Sequence, residues 1–246
     1  MERMTKFKPL PKVRKLFSEH SFTVLVIPFV ILSSLLVGLI GYLLIIYAGN
    51  YVIDEKKLVM NSATTLVDEN GEFITKLFVE NRELVSIDDI PEHVQHAFIA
   101  VEDHRFYEHT GIDLKAITRA LYRDIIARSK VEGGSTLTQQ LAKNVFLTNE
   151  KSWLRKTKEA VIAINLEKRY TKKEILEMYL NQIYFGHGVY GIEAATNFYF
   201  DKSVSELTVD EGALLAALPK APNGYSPINY PAEAKHRRNI VLNLLH

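Results

Sequence analysis

The chain has 246 residues with 30 Lys+Arg against 29 Asp+Glu, a formal net charge of +1, and that balance argues against a general nucleic-acid binder, which carries a strong basic excess. An apolar fraction of 47% with 10% aromatic residues is too high for a disordered chain, and the length suits one domain or two small ones. Cysteine is absent, which excludes disulfide scaffolds, zinc–thiolate sites, iron–sulfur clusters and thiol nucleophiles together.

Residues 1–20 hold six basic and two acidic residues, so a basic tail precedes a body with 24 basic and 27 acidic residues. Phe22 to Ala48 is a run of 27 uncharged, mostly apolar residues, roughly 40 Å long as a helix and more than a bilayer core requires. A cleaved signal peptide is the competing reading, but its apolar region normally ends by about 15 residues. Pro28, Gly38 and Gly41 are tolerated in membrane helices. The expected organisation is a cytoplasmic basic tail (1–21), a single retained transmembrane anchor (22–48), a linker with a β-hairpin (49–90) and a helical body (91–246). Because positive residues stay inside, the body is expected to be extracytoplasmic.

Within Ala63–Phe78, Asn70-Gly71 lies between two runs rich in β-branched and aromatic residues, which predicts a short hairpin. From Pro91 the period becomes helical: Val94, Phe98, Ile99 and Val101 lead to Glu102, and Leu114, Ile117, Leu121 and Ile125 form a second stripe behind Asp113 as N-cap. Capping boxes at Thr171/Glu174 and Thr208/Glu211 open two more helices, the latter stopped by Pro219. Arg128–Gly134, with two adjacent glycines and no apolar period, reads as a mobile loop.

Four constellations carry chemistry. In the first, Glu102 and Asp103 fall at the end of a helix whose preceding run is apolar, where partial desolvation raises a carboxyl pKa as a general base requires; a solvated helix terminus is the plain alternative. His104 and His109 are five apart, which does not suit a helical metal pair. In the second, a glycine pair feeds a helix starting near Ser135. Leu137, Leu141 and Val145 make its apolar stripe, and Thr136, Gln140 and Lys143 align on another side, a cradle for phosphate or sugar hydroxyls or else an ordinary capped surface helix. In the third, Glu159 shares a helix face with Arg155 and Lys156 on one side and Ile162, Ala163 and Leu166 on the other. Residues 143–173 carry nine Lys/Arg against three Glu, suited to an anionic ligand such as a diphosphate, with a surface ion pair as the alternative. The fourth, Lys172–Asn181 with the Gly/aromatic turn 183–191, reads mainly as packing, with Asn181 and His187 as supporting groups.

Taken in order, Glu102-Asp103 with Phe106, His109 and Gly111, then Gly133-x-x-Thr136-x-Thr138-Gln139-Gln140, then Arg155-Lys156-x-x-Glu159, then Lys172-x-x-Ile175-Leu176-Glu177-x-Tyr179-Leu180-Asn181, closely resemble the motifs of the peptidoglycan glycosyltransferases. These are family 51 glycosyltransferases, found as the N-terminal domain of class A penicillin-binding proteins and as monofunctional enzymes. Arg238-x-x-Val241-Leu242 looks like the last motif, and the resemblance covers roughly Val52 to His246. It implies a mainly α-helical, lysozyme-like fold with a membrane-facing jaw near residues 112–134. It also implies polymerisation of lipid II, in which the 4-hydroxyl of one molecule attacks the anomeric carbon of a lipid-diphosphate donor with inversion. By similarity Glu102 is the general base and Glu159 the second catalytic carboxylate. Asp103, His109, Ser135, Thr136, Thr138, Gln139, Gln140, Lys143, Asn144, Arg155, Lys156 and Asn181 are the candidate substrate-binding residues. A divalent cation, Mg or Mn, near Glu159 is the cofactor implied, with no organic cofactor. The partners implied are lipid II, the growing glycan strand, the membrane and proteins of cell-wall synthesis or division, with no nucleic acid.

A transpeptidase domain would bring a Ser-x-x-Lys nucleophile, and neither that motif nor Lys-Thr-Gly occurs, so no transpeptidase activity is expected. The helical pattern of Ile240, Val241, Leu244 and Leu245 running into His246 is what a piece of a longer protein would show. Two rivals stand beside the polymerase: a lytic enzyme on the same fold, which would use one acid in an apolar pocket without the basic patch, and an inactive membrane-anchored module that binds lipid II.

Overall fold

The computed structural model describes residues 26–41, 43, 58, 64–70, 72–77, 81–129, 133–147 and 153–245. The chain divides into two compact units, Met1–Asn50 and Tyr51–His246. In the first, residues 26–41 form helix α1, and its large apolar side chains are all exposed. Ser33 and Ser34 donate their hydroxyls back to the carbonyls of Val30 and Ile31, so neither leaves a polar group unsatisfied. No helix among the described residues is long and apolar enough to cross a membrane. The flanks of the anchor expected at 22–48, and the basic tail, lie outside the described residues.

The second unit is mainly helical. The hairpin expected around Asn70-Gly71 is present as β1 (Thr64–Val67) paired antiparallel with β2 (Phe73–Leu77). Asp68 closes it, its carboxylate accepting the backbone N–H groups of Asn70 and Glu72. A second sheet was not foreseen: β3 (Asn81–Arg82) runs parallel to β5 (Val189–Tyr190), which pairs antiparallel with β4 (Tyr184–Gly186). Strands of two or three residues are too short to show a period of two, so no alternation betrays them.

Helices α2 (Glu92–Glu102), α8 (Val209–Ala217) and α9 (Pro231–Leu244) pack on one another, with Gly212 of α8 against Val94 of α2. Helix α4 (Leu137–Phe146) lies against α5 (Trp153–Arg169) and α6 (Lys172–Gln182). Phe98, Phe106, Leu137, Leu141, Leu166, Tyr179 and Phe185 are fully buried between them. The expected boxes at Thr171/Glu174 and Thr208/Glu211 start α6 and α8, and α7 (Ile192–Phe200) links the small sheet to the core.

Residues 83–90, expected as part of a linker, are clamped on α6. Asn181 accepts the Val85 N–H at 3.0 Å and donates to the Val85 carbonyl at 2.8 Å, and Glu177 accepts the Ile87 N–H. Helix α3 (Leu114–Ala127) starts at Asp113 as expected, but its stripe of Leu114, Ile117, Leu121 and Ile125 is exposed, and Ala120 is its buried residue. A helical period identifies a face without saying what covers it. Of the loop expected at 128–134, Arg128 is the left-handed cap of α3, and residues 130–132 lie outside the described residues.

Candidate active site

Glu102 is the last residue of α2, and its partner comes from α4: Gln140 Nε2 donates to Glu102 Oε2 at 2.7 Å. Tyr179 of α6 reaches Gln140 Oε1 at 3.5 Å, which orients the amide with its NH₂ toward the carboxylate. Burial lifts the Glu102 carboxyl above its ordinary 4.5, and the Gln140 N–H and the positive charges of Arg237 and Lys220 offset part of that rise. Burial, then the charges of Glu102 and Asp103, push the Tyr179 phenol well above 10, so it stays a neutral donor.

The neighbouring Asp103 does a different job. Its buried carboxylate accepts His109 Nε2–H at 2.9 Å and the N–H of Leu137 at 3.0 Å, tying the segment after Glu102 to the start of α4. His109 Nδ1 in turn accepts the Gly111 N–H. Thr136 caps α4, accepting the Gln139 N–H and donating to the Gly111 carbonyl at 2.7 Å, while Gln139 Oε1 accepts the Thr136 N–H. Thr136-x-x-Gln139 is thus a capping box, a signal present in the sequence at two residues that the family resemblance places among the candidate substrate-binding ones.

Lys143, one turn beyond Gln140, stands between two centres. Burial and then the Arg155 guanidinium hold its ammonium below the ordinary 10.5, against the opposite pull of Glu102. Further along, Glu159 is buried on α5 and accepts from both Arg155 and Lys156, the latter at 2.7 Å. Lys156 also donates to Ser135 at 2.8 Å, so the Glu159 cluster is joined to the lead-in of α4.

The expected residues therefore separate. Glu102, Gln140, Lys143, Arg155, Lys156, Glu159 and Ser135 are brought together along α4 and α5, and Asn144 is exposed on α4. Asp103, His109, Thr136 and Gln139 are buried and bonded within the protein, as is Thr138, whose hydroxyl donates to Glu167 at 2.6 Å. Asn181 is bonded through both amide atoms to Val85, so in this structure it clamps the segment before α2 onto α6. Tyr179, Lys220 and Arg237 were missed. Tyr179 lies in the fourth block, whose pattern speaks mainly for packing, and Lys220 and Arg237 lie far along the chain with no local pattern pointing at Glu102.

Among the described residues no group of three ligating side chains could hold a metal ion. Glu159 has an Arg and a Lys on its two oxygens, so the residues present do not fit a divalent cation there.

A family profile described as Transglycosylase matches residues 70–246. The chain is 60% identical over 223 residues to penicillin-binding protein 1F of Bacillus subtilis (strain 168), covering 90% of this chain and 31% of that protein. It is 49% identical over 216 residues to penicillin-binding protein 1A of Aquifex aeolicus (strain VF5), covering 86% and 29%. It thus spans about a third of the length of these curated relatives. The crystal structure of penicillin-binding protein 1A from Haemophilus influenzae aligns over 76% of this chain and 18% of that one, at 24% identity and a TM-score of 0.41.

Proposed function

The chain belongs to the transglycosylase family of peptidoglycan glycosyltransferases, and from that premise we propose that it polymerises lipid II from the outer face of the membrane, on a lysozyme-like body. The observation that carries the reading is that Lys143 lies within reach of the charges of both Glu102 and Arg155, and so joins the Glu102 carboxylate to the Arg155–Lys156–Glu159 cluster. Glu102 Oε2 is occupied by Gln140, and Oε1 receives the proton of the acceptor 4-hydroxyl. The oxygen so activated bonds to the donor anomeric carbon from the face opposite the diphosphate, and the bond to the phosphate oxygen breaks with its electron pair leaving on the diphosphate. That leaving group needs charge neutralisation rather than a proton, which Lys143, Arg155 and Lys156 supply. Glu159 holds the two α5 cations in place.

The anchor proposed at 22–48 rests on the uncharged run and on α1, whose apolar side chains are exposed and whose serines are satisfied internally. The exposed apolar face of α3, flanked by Lys115, Arg119 and Arg123, is suited to the interface of an anionic bilayer, where the substrate's lipid also lies.

The direct test is incubation of the chain with labelled lipid II, with products resolved on a gel and then treated with a muramidase. A ladder that collapses on digestion is expected. Soluble fragments released from preformed peptidoglycan would instead mark a lytic enzyme, and bound lipid II without product an inactive module. Arg155→Ala and Lys156→Ala should each raise the KM for lipid II by about tenfold or more, the loss of one charge-assisted contact to the diphosphate. Steady-state kinetics with both constants unchanged would remove these residues from the site.

A further inference from the structure

Helix α3 exposes Leu114, Ile117, Leu121, Tyr122, Ile125 and Ile126 and buries Ala120, so apolar packing does little to fix it to the body. Polar contacts join it instead to the segment that follows Glu102. Arg105 Nη1 donates to Asp113 Oδ1 at 3.0 Å, and Arg119 Nη1 donates to His104 Nε2 at 3.3 Å. Backbone contact adds a third link, since a Cβ placed on Gly134, just before α4, would stand 3.0 Å from Ile117 Cα.

The Arg105–Asp113 pair is the part of this junction withdrawn from solvent, with the two side chains 16% and 3% exposed. Asp113 Oδ1 takes the Lys115 and Ala116 N–H groups as well as Arg105, while Oδ2 is buried with no partner. Burial alone would raise this carboxyl. The Ala116 N–H, Arg105 and the Lys115 N–H outweigh it and leave it below its ordinary value, ionised and in need of its cation. On the other side Arg105 also binds Glu108, and its own segment is pinned by Asp103 to His109 and Leu137. A path of direct contacts therefore runs from the first turn of α3, through an ion pair between the buried Asp113 and the half-buried Arg105, to the residue three places after the catalytic carboxylate.

We propose that Arg105 and Asp113 are positioning residues for the polymerisation: they couple the docking of α3 on the bilayer to the height at which Glu102 meets a substrate held in that bilayer by its own lipid. The inference rests on the polymerase reading above. Both the enzyme and its substrate are tethered to one surface, so an error in height is an error in the distance between base and hydroxyl, and a displacement of about 1 Å can cost up to about 10²-fold.

Asp113→Asn is the sharpest probe, because Asn is as good an N-cap as Asp while the ion pair with Arg105 is lost. The full chain carrying Leu121→Cys is labelled with an environment-sensitive dye; the absence of other cysteines makes the label unique. It is then placed in anionic vesicles containing lipid II. Asp113→Asn, Arg105→Gln and the double variant should each lose about tenfold in turnover, the double being no worse than either single. The dye signal for α3 insertion should stay at the wild-type level in all three, and so should the unfolding temperature in Asp113→Asn and the double variant, whereas Arg105→Gln strands the Asp113 carboxylate and should melt lower. Undiminished turnover in Asp113→Asn would overturn the proposal, as would a loss that merely tracks reduced insertion or reduced thermal stability. A wild-type chain that makes no polymer would instead refute the polymerase reading itself.

Discussion

Glu102→Gln is expected to lower lipid II polymerisation by about 10²–10⁴-fold, the usual worth of a positioned general base, with lipid II binding nearly unchanged. The replacement is close to isosteric, and Gln140 can still donate to the new side-chain carbonyl. What disappears is the capacity to take a proton. Binding of labelled lipid II measured beside turnover separates the two, and retained turnover would sink the assignment. The pH profile carries the same argument further. The base works as the carboxylate, so kcat/KM should fall as pH drops through a midpoint above 4.5, the direction in which burial moves Glu102. The Gln140 N–H, Arg237 and Lys220 each pull that value down, so Gln140→Ala, Arg237→Ala or Lys220→Ala should shift the acid limb to higher pH. Stability runs the opposite way. A carboxyl whose folded pKa is raised contributes stability below the unfolded value, and this is lost as pH rises through the folded value. At neutral pH the native protein therefore holds a carboxylate at a cost, and Glu102→Gln should unfold at a temperature equal to or above wild type, with the gain shrinking toward pH 4.

Much of this arrangement could be read from local patterns. The hairpin and the starts of α3, α6 and α8 follow from spacings of a few residues, as does the Arg155–Lys156–Glu159 cluster; that Glu102, Gln140 and Lys143 belong with that cluster is implied by the ordered motifs of the family and not by any local spacing, since Gln140 is 38 residues from Glu102. What could not be read is which polar side chains face a ligand and which are consumed inside. Asp103, Thr138 and Asn181 find their partners 34, 29 and 96 residues away, and nothing local distinguishes a satisfied polar group from one awaiting a substrate. The same limit holds for α3, whose period marks an apolar face without saying what covers it. Its stripe has the spacing of a core helix, and its exposure is decided by the absence of a covering element, a tertiary fact. Lys220 and Arg237 act on Glu102 through charge from the far end of the chain, with no motif to announce them.

Gly111→Ala should be the most damaging small substitution in the body, lowering the unfolding temperature by roughly 5–20 °C and removing polymerisation with it. Gly111 has φ of +95°, which costs a residue with a Cβ about 1–2 kcal/mol. A Cβ there would also stand 2.8 Å from the carbonyl carbon and oxygen of Ala163 on α5, an overlap worth about 1–3 kcal/mol more. Together these are a large part of the roughly 5–15 kcal/mol that stabilises a domain, and about 2–4 °C per kcal/mol converts them to the expected shift. The neighbour is backbone, so trimming Ala163 to Gly should bring no relief. Gly212→Ala is the contrasting case: its Cβ would meet Val94 Cγ2 at 2.9 Å, a side chain, and Val94→Ala should rescue it. Activity is lost at Gly111 for a separate reason. Its N–H is held by His109 and its carbonyl by Thr136, so moving it off α5 pulls on the same ties that fix Asp103 beside Glu102 and α4 beside the Glu159 cluster. A Gly111→Ala chain that melts within a degree or two of wild type would show that the loop can rise from α5 without strain, and that the close approach is not what seats the first motif.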